Sequence, residues 1–176
     1  MKRSVPAFFL MTFVATTFVM NCSSSSNLSA QDSATSSVES ASQIQVEPGQ
    51  QTENFFAIPE PAEGRPDKLP FLLYTPSNYQ AGQEVPMLLF LHGLGESGDG
   101  NFKQLAVHGP PKRVAKEGKE FPFVIVSPQS PKPGKERADV VESWKVDELM
   151  ALLDHVEEHL SIDTSRVYLS GLSMGG

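Results

Sequence analysis

The last ten residues constrain the fold more than any other part of the chain. Residues 167–176 read Val-Tyr-Leu-Ser-Gly-Leu-Ser-Met-Gly-Gly, an apolar run that passes into a Gly-x-Ser-x-Gly pattern. This order predicts a strand that turns sharply toward a helix, with Ser173 at the apex of the turn. The backbone of such a turn is strained and its neighbours pass close together, so glycine is required at Gly171 and Gly175. The Ser173 hydroxyl would then stand clear of the sheet, where a base could reach it.

A second motif follows an earlier apolar run. Residues 85–91 are continuously apolar, as in a strand covered on both faces, and His92-Gly93-Leu94-Gly95 comes directly after them. Together the two motifs resemble the α/β-hydrolase superfamily, in which a strand ending in His-Gly supplies part of the oxyanion hole and a later strand carries the nucleophile. The resemblance covers about residues 50 to 176, including the segments 108–112 and 123–129. It is closest to secreted bacterial esterases of the carboxylesterase, feruloyl esterase and polyhydroxyalkanoate depolymerase type.

The resemblance implies a catalytic role for Ser173 and supporting roles around it. Ser173 would attack an ester carbonyl and form an acyl-enzyme. The backbone N–H groups of Leu94 and Met174 would form the oxyanion hole. His92 would be a buried ring that ties down backbone rather than a general base. The residues that support the two turns would be His92, Gly93, Gly171 and Gly175.

Both partners of a catalytic triad are expected outside this sequence. In the superfamily the acid and the histidine follow the nucleophile, whereas three residues follow Ser173 here. We therefore expect an α/β fold with a mostly parallel sheet flanked by helices, truncated after the nucleophile elbow, and a fragment that is inactive by itself. The alternative is a non-catalytic hydrolase-like binding module or surface lipoprotein. A serine peptidase or thioesterase is an alternative within the same class, because all acyl transfers share this turn.

The other histidines are interpreted without a catalytic role. His108 is expected to be structural or to line a pocket. The segment His155 to His159 fits a His-x-x-Glu-His zinc pattern, with both histidines one turn apart on a helix. Because this face lies opposite the apolar stripe, it is expected to be a solvent-exposed polar surface, and no metal site is predicted. Trp144, the only tryptophan, is equally compatible with core packing and with a substrate wall.

The N-terminal region predicts export. Lys2 and Arg3 precede an uncharged apolar segment, which predicts a signal peptide over residues 1–21, with a retained membrane anchor as a minor alternative. Cys22, the only cysteine, precedes four serines and resembles the lipidated cysteine of bacterial lipoproteins; ordinary signal cleavage is the alternative. Residues 22–43 are rich in serine and predict a disordered tether. The hydrolase domain would then occupy residues 44–176, in a protein that is periplasmic or on the outer surface, anchored or secreted.

Charge and motif content narrow the expected partners. The net charge is −7, which argues against nucleic acid because phosphate binding requires clustered cations. The sequence contains no phosphate-cradling loop or flavin fingerprint, so no cofactor is implied. The expected partner is a small-molecule or polymeric ester substrate, and the oligomeric state is left open.

Hydrophobic patterning predicts the remaining elements. Besides 85–91, strands or β-prone pieces are predicted at 44–46, 55–58, 69–76, 121–126 and 167–170. Pro70 suggests that its strand lies at an edge of the sheet. Helices are predicted over 111–117, ended by Gly118, and over about 144–160. The apolar stripe of the second helix would consist of Val146, Leu149, Met150, Leu153, Val156 and Leu160.

Overall fold

The computed structural model describes residues 43–133 and 143–176, in which five strands form one mixed sheet. The strands are β1 (Gln51–Ala57), β2 (Lys68–Tyr74), β3 (Val85–Leu91), β4 (Val124–Pro128) and β5 (Ile162–Gly171). Their order across the sheet is β1-β2-β4-β3-β5. Strand β2 is antiparallel to both of its neighbours, whereas β3 is parallel to β4 and to β5. The predicted α/β class with a mostly parallel sheet is confirmed.

Three helices accompany the sheet in the two described segments: α1 (Phe102–Leu105), α2 (Gly109–Glu117) and α3 (Val146–His159). Helix α2 begins two residues before its predicted start, and proline occupies its first turn, where a missing N–H costs nothing. Gly118 ends it with φ +60°, a left-handed conformation that glycine adopts without strain. The end of α2 was therefore predicted correctly.

The prediction that Pro70 marks an edge strand is wrong. Strand β2 lies inside the sheet, between β1 and β4. Its pairing with β4 begins only at Phe71, so Pro70 stands just outside that ladder and its missing N–H breaks no β4 contact. The carbonyl of Pro70 still accepts a hydrogen bond from the Gln129 backbone N–H at 2.7 Å.

Two predicted strand positions are also corrected. The segment 44–46 is not a strand, because side chains of β1 take its backbone bonds: Asn54 Oδ1 accepts from Gln45 N–H at 2.7 Å, and Thr52 Oγ1 donates to Gln45 O at 2.6 Å. Strand β4 begins three residues later than predicted. Phe121 lies outside it and packs edge-on against Tyr74, with ring centroids 6.2 Å apart.

The buried face of α3 is rotated from the predicted stripe. The side chains that α3 and the residue after it bury in the core are Leu149, Leu152, Val156 and Leu160. Val146 and Met150 are instead 70% and 52% exposed. Val146 is the first helical residue and lies outside the core, whereas Leu152 takes a core position that the predicted stripe had omitted.

Strand β5 is an edge strand of the sheet and pairs only with β3 among the described strands. Its pairing starts at Ile162, earlier than predicted, with a register shift before Val167. Tyr168 and Leu169 are 57% and 67% exposed. No helix in the described part of the chain is long and apolar enough to cross a bilayer. The predicted signal peptide and lipidation at Cys22, and nearly all of the predicted tether, lie outside the described residues.

Candidate active site

Ser173 lies in a tight turn directly after β5 and is solvent-exposed. Its φ of +55° is unusual, because among the described residues no other non-glycine residue has a positive φ. The turn is held by Leu172 N–H, which donates to Leu91 O at 3.0 Å, and by Gly175 N–H, which donates to Leu172 O at 2.9 Å. The serine side chain is thus presented by a strained backbone that is anchored on the end of β3.

Two glycines make this turn possible. A Cβ atom on Gly171 would lie 1.8 Å from the carbonyl oxygen of Gly175. A Cβ atom on Gly175 would lie 2.2 Å from the carbonyl oxygen of Leu91. Both separations are far below van der Waals contact, so neither position accepts a side chain without movement of the backbone. Gly171 is thus close to another residue of the turn, whereas Gly175 is close to the end of the neighbouring strand β3.

The turn after β3 lies beside the turn after β5. Residues Leu94–Glu96 form a short 3-10 turn, and a Cβ atom on Gly93 would lie 3.5 Å from Ser173 Cβ. Within residues 43–133 and 143–176, the backbone N–H groups of Leu94 and Met174 have no hydrogen-bond acceptor. Two N–H groups without acceptors thus lie in adjoining turns at the carboxyl ends of parallel strands, where ligands of α/β sheets bind.

His92 is buried beneath this pair of turns, with 2% of its surface exposed. Its Nδ1 lies 2.6 Å from the carbonyl of Gly93, and its Nε2 accepts from Ser130 N–H at 2.9 Å. The ring is therefore neutral with the proton on Nδ1, and burial lowers the pKa of His92 below its ordinary value. Trp144 packs edge-on against it with ring centroids 4.7 Å apart. Both ring nitrogens are occupied by backbone groups, so His92 has no free nitrogen for Ser173.

A buried carboxylate lies in the glycine-rich loop after β3, which contains Gly93, Gly95, Gly98 and Gly100, and it was not predicted from the sequence. Glu96 is 3% exposed, and its carboxylate contacts Nδ1 of His108, the residue before α2. Glu96 Oε2 would lie 3.3 Å from a Cβ atom on Gly93. The sequence did show an acidic residue within a glycine-rich segment, which could have drawn attention to Glu96. It did not indicate His108 as the partner of Glu96, because the two residues are twelve positions apart.

Gln129 was also missed, although it lies in a segment that carried the family resemblance. It is fully buried, and its Oε1 accepts from Gly100 N–H at 2.7 Å while its Nε2 donates to Glu96 O at 2.9 Å. A Cβ atom on Gly98 would lie 2.7 Å from Gln129 Nε2. One amide side chain therefore fixes the loop after β3 from the end of β4.

A cavity of about 440 Å³ opens beside this loop. Its lining residues include Phe55, Lys68, Gly98, Asp99 and Gln129. Neither Ser173 nor the N–H groups of Leu94 and Met174 line it. The cavity is adjacent to the loop and separate from the serine.

His155, the first histidine of the pair on α3, is less exposed than predicted. The ring of His155 is half-buried and packs on Phe56 of β1, with centroids 5.2 Å apart. The prediction of a wholly solvent-exposed face is therefore wrong for His155, because the rotation of α3 turns this residue toward β1. His155, Glu158 and His159 each offer a potential ligand atom, and these three atoms lie within 4.8 Å of one another.

Comparisons with known proteins find esterases. No family model matches the chain. The bifunctional acetylxylan esterase/xylanase of Neocallimastix patriciarum is 35% identical over 104 residues, which are 59% of this chain and 14% of that protein. The chain thus spans only a small part of this curated relative. The match confirms the resemblance to esterases that the sequence motifs predicted.

Three of the solved structures that the chain resembles are esterases. A ferulic acid esterase from Anaeromyces mucronatus is 22% identical, with a TM-score of 0.47 over 76% of this chain and 53% of that one. A thermostable esterase is 23% identical, with a TM-score of 0.47 over 72% and 35% of the two chains. A bacterial heroin esterase is 24% identical, with a TM-score of 0.45 over 81% and 42%.

Proposed function

We propose that this chain carries the nucleophile and oxyanion-binding residues of a serine esterase, which hydrolyses carboxylic esters through an acyl-enzyme on Ser173. The observation that carries the proposal is the positive-φ turn that exposes Ser173 beside Gly93. A strained serine is maintained only where the surrounding backbone imposes it, and such strain is concentrated at functional sites. The 35% identity over 104 residues to a bifunctional acetylxylan esterase/xylanase supports the same reaction class.

In the proposed reaction, Ser173 Oγ attacks the ester carbonyl carbon while a base takes its proton. The carbonyl oxygen becomes an oxyanion that accepts hydrogen bonds from the Leu94 and Met174 N–H groups. The alcohol then leaves with the proton, and water attacks the acyl-enzyme to release the acid and regenerate Ser173. Each oxyanion donor is worth about 3 kcal/mol of transition-state stabilisation. Since both donors are backbone groups, the turn geometry matters more than the identity of residues 94 and 174.

The general base and its acid are proposed to come from residues outside this sequence. In the described parts of the chain, His92 is bonded to backbone on both sides and His108 is engaged by Glu96. The other two histidines lie on α3, and His155 faces β1, which is at the opposite end of the sheet from β5. A serine without its base loses several powers of ten in rate, so the 176-residue chain alone should show little turnover.

We also propose that the protein is exported and that its ester substrate lies outside the cell. The N-terminal pattern supports a signal peptide, and Cys22 supports membrane anchoring through a lipid. The acetylxylan esterase relative favours acyl groups on polysaccharide as the first substrates to test. Peptide and thioester substrates should be tested beside them, because serine peptidases and thioesterases are the alternatives among acyl-transfer enzymes.

The proposal is tested by assaying the complete gene product that contains this sequence on 4-nitrophenyl acetate, acetylated xylan and methyl ferulate. We expect hydrolysis that Ser173→Ala abolishes and that Ser170→Ala, an exposed serine three residues earlier, leaves unchanged. A trapped acyl-enzyme on Ser173, seen by mass spectrometry, would identify the nucleophile. Full activity of Ser173→Ala would refute the proposal. Absence of activity on every ester would instead favour a non-catalytic surface module.

A further inference from the structure

We propose that His155, Glu158 and His159, at the C-terminal end of α3, form a binding site for a divalent transition metal, with Zn²⁺ as the expected ion. Two imidazoles and one carboxylate are the ligand types that Zn²⁺ takes in proteins. Positions 155, 158 and 159 fall on one helical face because residues three and four apart are neighbours. This site is separate from Ser173.

The separation of the ligand atoms is close to what a metal requires. The three potential ligand atoms lie within 4.8 Å of one another. A tetrahedral Zn²⁺ with bonds of about 2.1 Å places its ligand atoms roughly 3.4 Å apart. Glu158 and His159 are exposed, so small side-chain rotations can close the remaining gap without disturbing the core. Water would complete the coordination.

A hydrogen bond fixes the tautomer of His159. Its Nδ1 lies 2.8 Å from the carbonyl oxygen of His155, and because a carbonyl only accepts, Nδ1 must carry the proton. The lone pair of His159 is therefore on Nε2. Histidines that bind metals usually donate their other ring N–H to a carbonyl or carboxylate, which fixes the tautomer and the ring.

The ring of His155 is held by packing against two neighbouring rings. Its ring lies 5.2 Å from the Phe56 ring and 4.4 Å from the His159 ring, centroid to centroid. This packing holds the His155 ring beside His159 at the end of α3. Binding would also fix the end of α3 next to β1, so we expect the metal to stabilise the fold.

Calorimetric titration of the complete gene product with ZnCl₂ tests the site. We expect one Zn²⁺ per chain, with the affinity lowered at least tenfold in His159→Ala and in Glu158→Gln. Both side chains are exposed, so these variants are expected to fold. Glu157→Gln, which removes the same charge from the neighbouring residue, is the matched control and should bind as the wild type does. His108→Ala, at the other accessible histidine, should also leave Zn²⁺ binding unchanged.

Absorption of Co²⁺ provides a second readout that is independent of ester hydrolysis. A tetrahedral site gives visible bands that His155→Gln should remove. Zn²⁺ binding with wild-type affinity in His159→Ala, or binding that disappears in His108→Ala, would overturn the proposal. So would a wild-type chain that binds no Zn²⁺ and shows no Co²⁺ bands.

Discussion

Arg65 and Glu148 are 83 positions apart in sequence and form a two-pronged ion pair. Arg65 Nε donates to Glu148 Oε1 at 3.0 Å, and Nη2 contacts Oε2 of the same carboxylate. The side chains are 16% and 10% exposed, so the pair is largely shielded from water. The ion pair ties the connection between β1 and β2 to the first turn of α3. Trp144, which packs against His92, lies two residues before this helix, so the pair also helps to hold Trp144 in place.

We predict that Arg65→Ala destabilises the protein by about 3 kcal/mol, because it leaves Glu148 shielded and unpaired. Arg113→Ala is the matched control, since it breaks an exposed pair with Glu117 that is worth at most about 1 kcal/mol. Urea unfolding measures both. The double variant Arg65→Met with Glu148→Leu should recover most of the loss, because it leaves no unpaired charge. Equal effects of Arg65→Ala and Arg113→Ala would contradict this account.

Gly171→Ala is expected to disrupt the Ser173 turn. Its Cβ would lie 1.8 Å from the Gly175 carbonyl oxygen, so the turn must open, at a cost of about 1–3 kcal/mol. Gly95→Ala is the control, because nothing lies within 4 Å of a Cβ there and its φ is not in the left-handed region. Stability by urea unfolding and ester hydrolysis by the complete gene product should both fall in Gly171→Ala only. A stable, fully active Gly171→Ala variant would show that the close approach does not exist in solution.

Ser173→Gly should be more stable than Ser173→Ala. Ser173 has φ +55°, which glycine adopts freely and alanine does not, so glycine relieves up to about 1 kcal/mol of backbone strain. Both variants lack the hydroxyl and should be equally inactive. The thermal midpoints of the two variants measure the difference. If alanine proved as stable as glycine at this position, the turn would not be strained.

The sequence predicted those features that depend on neighbouring residues. The Ser173 turn follows from five consecutive residues, strand β3 from one apolar run, and the end of α2 from Gly118. The features that it did not predict depend on contacts between distant residues. Gln129 meets Glu96 and Gly100 across about thirty positions, and no local pattern indicates that partner.

The sequence pattern also did not predict which apolar residues are buried and which are exposed. The interior position of β2 and the rotation of α3 are set by which elements become neighbours in the sheet. Val146 and Leu152 have the same hydrophobic character in sequence, yet the first is 70% exposed and the second fully buried. Periodicity predicted the presence of α3, whereas packing decided which of its faces is buried.

The free energy of unfolding should fall as the pH is lowered, because His92 is buried as a neutral ring. Burial lowers the pKa of His92 from its ordinary value of 6.5, so below pH 6.5 the unfolded chain takes up a proton that the folded chain does not. Folded stability is thus full above pH 6.5 and is lost as the pH falls from there toward the pKa in the folded state. His155 acts in the same direction. Urea unfolding at a series of pH values should give a shallower dependence for His92→Asn than for the wild type. A slope unchanged in both His92→Asn and His155→Asn would refute this assignment.

The exposed end of the sheet should make the 176-residue chain associate with itself. Among the strands that the structure describes, β5 pairs with β3 alone, and it presents Tyr168 and Leu169 to solvent. An unpaired apolar edge is a template for further strands. We expect Leu169→Lys to reduce association, because a charge at an edge strand opposes pairing. Thr164→Lys adds the same charge to an exposed position of the same strand and should have a smaller effect. Sedimentation velocity over a concentration series measures all three chains. A wild-type chain that remains a monodisperse monomer throughout would show that this edge does not drive association.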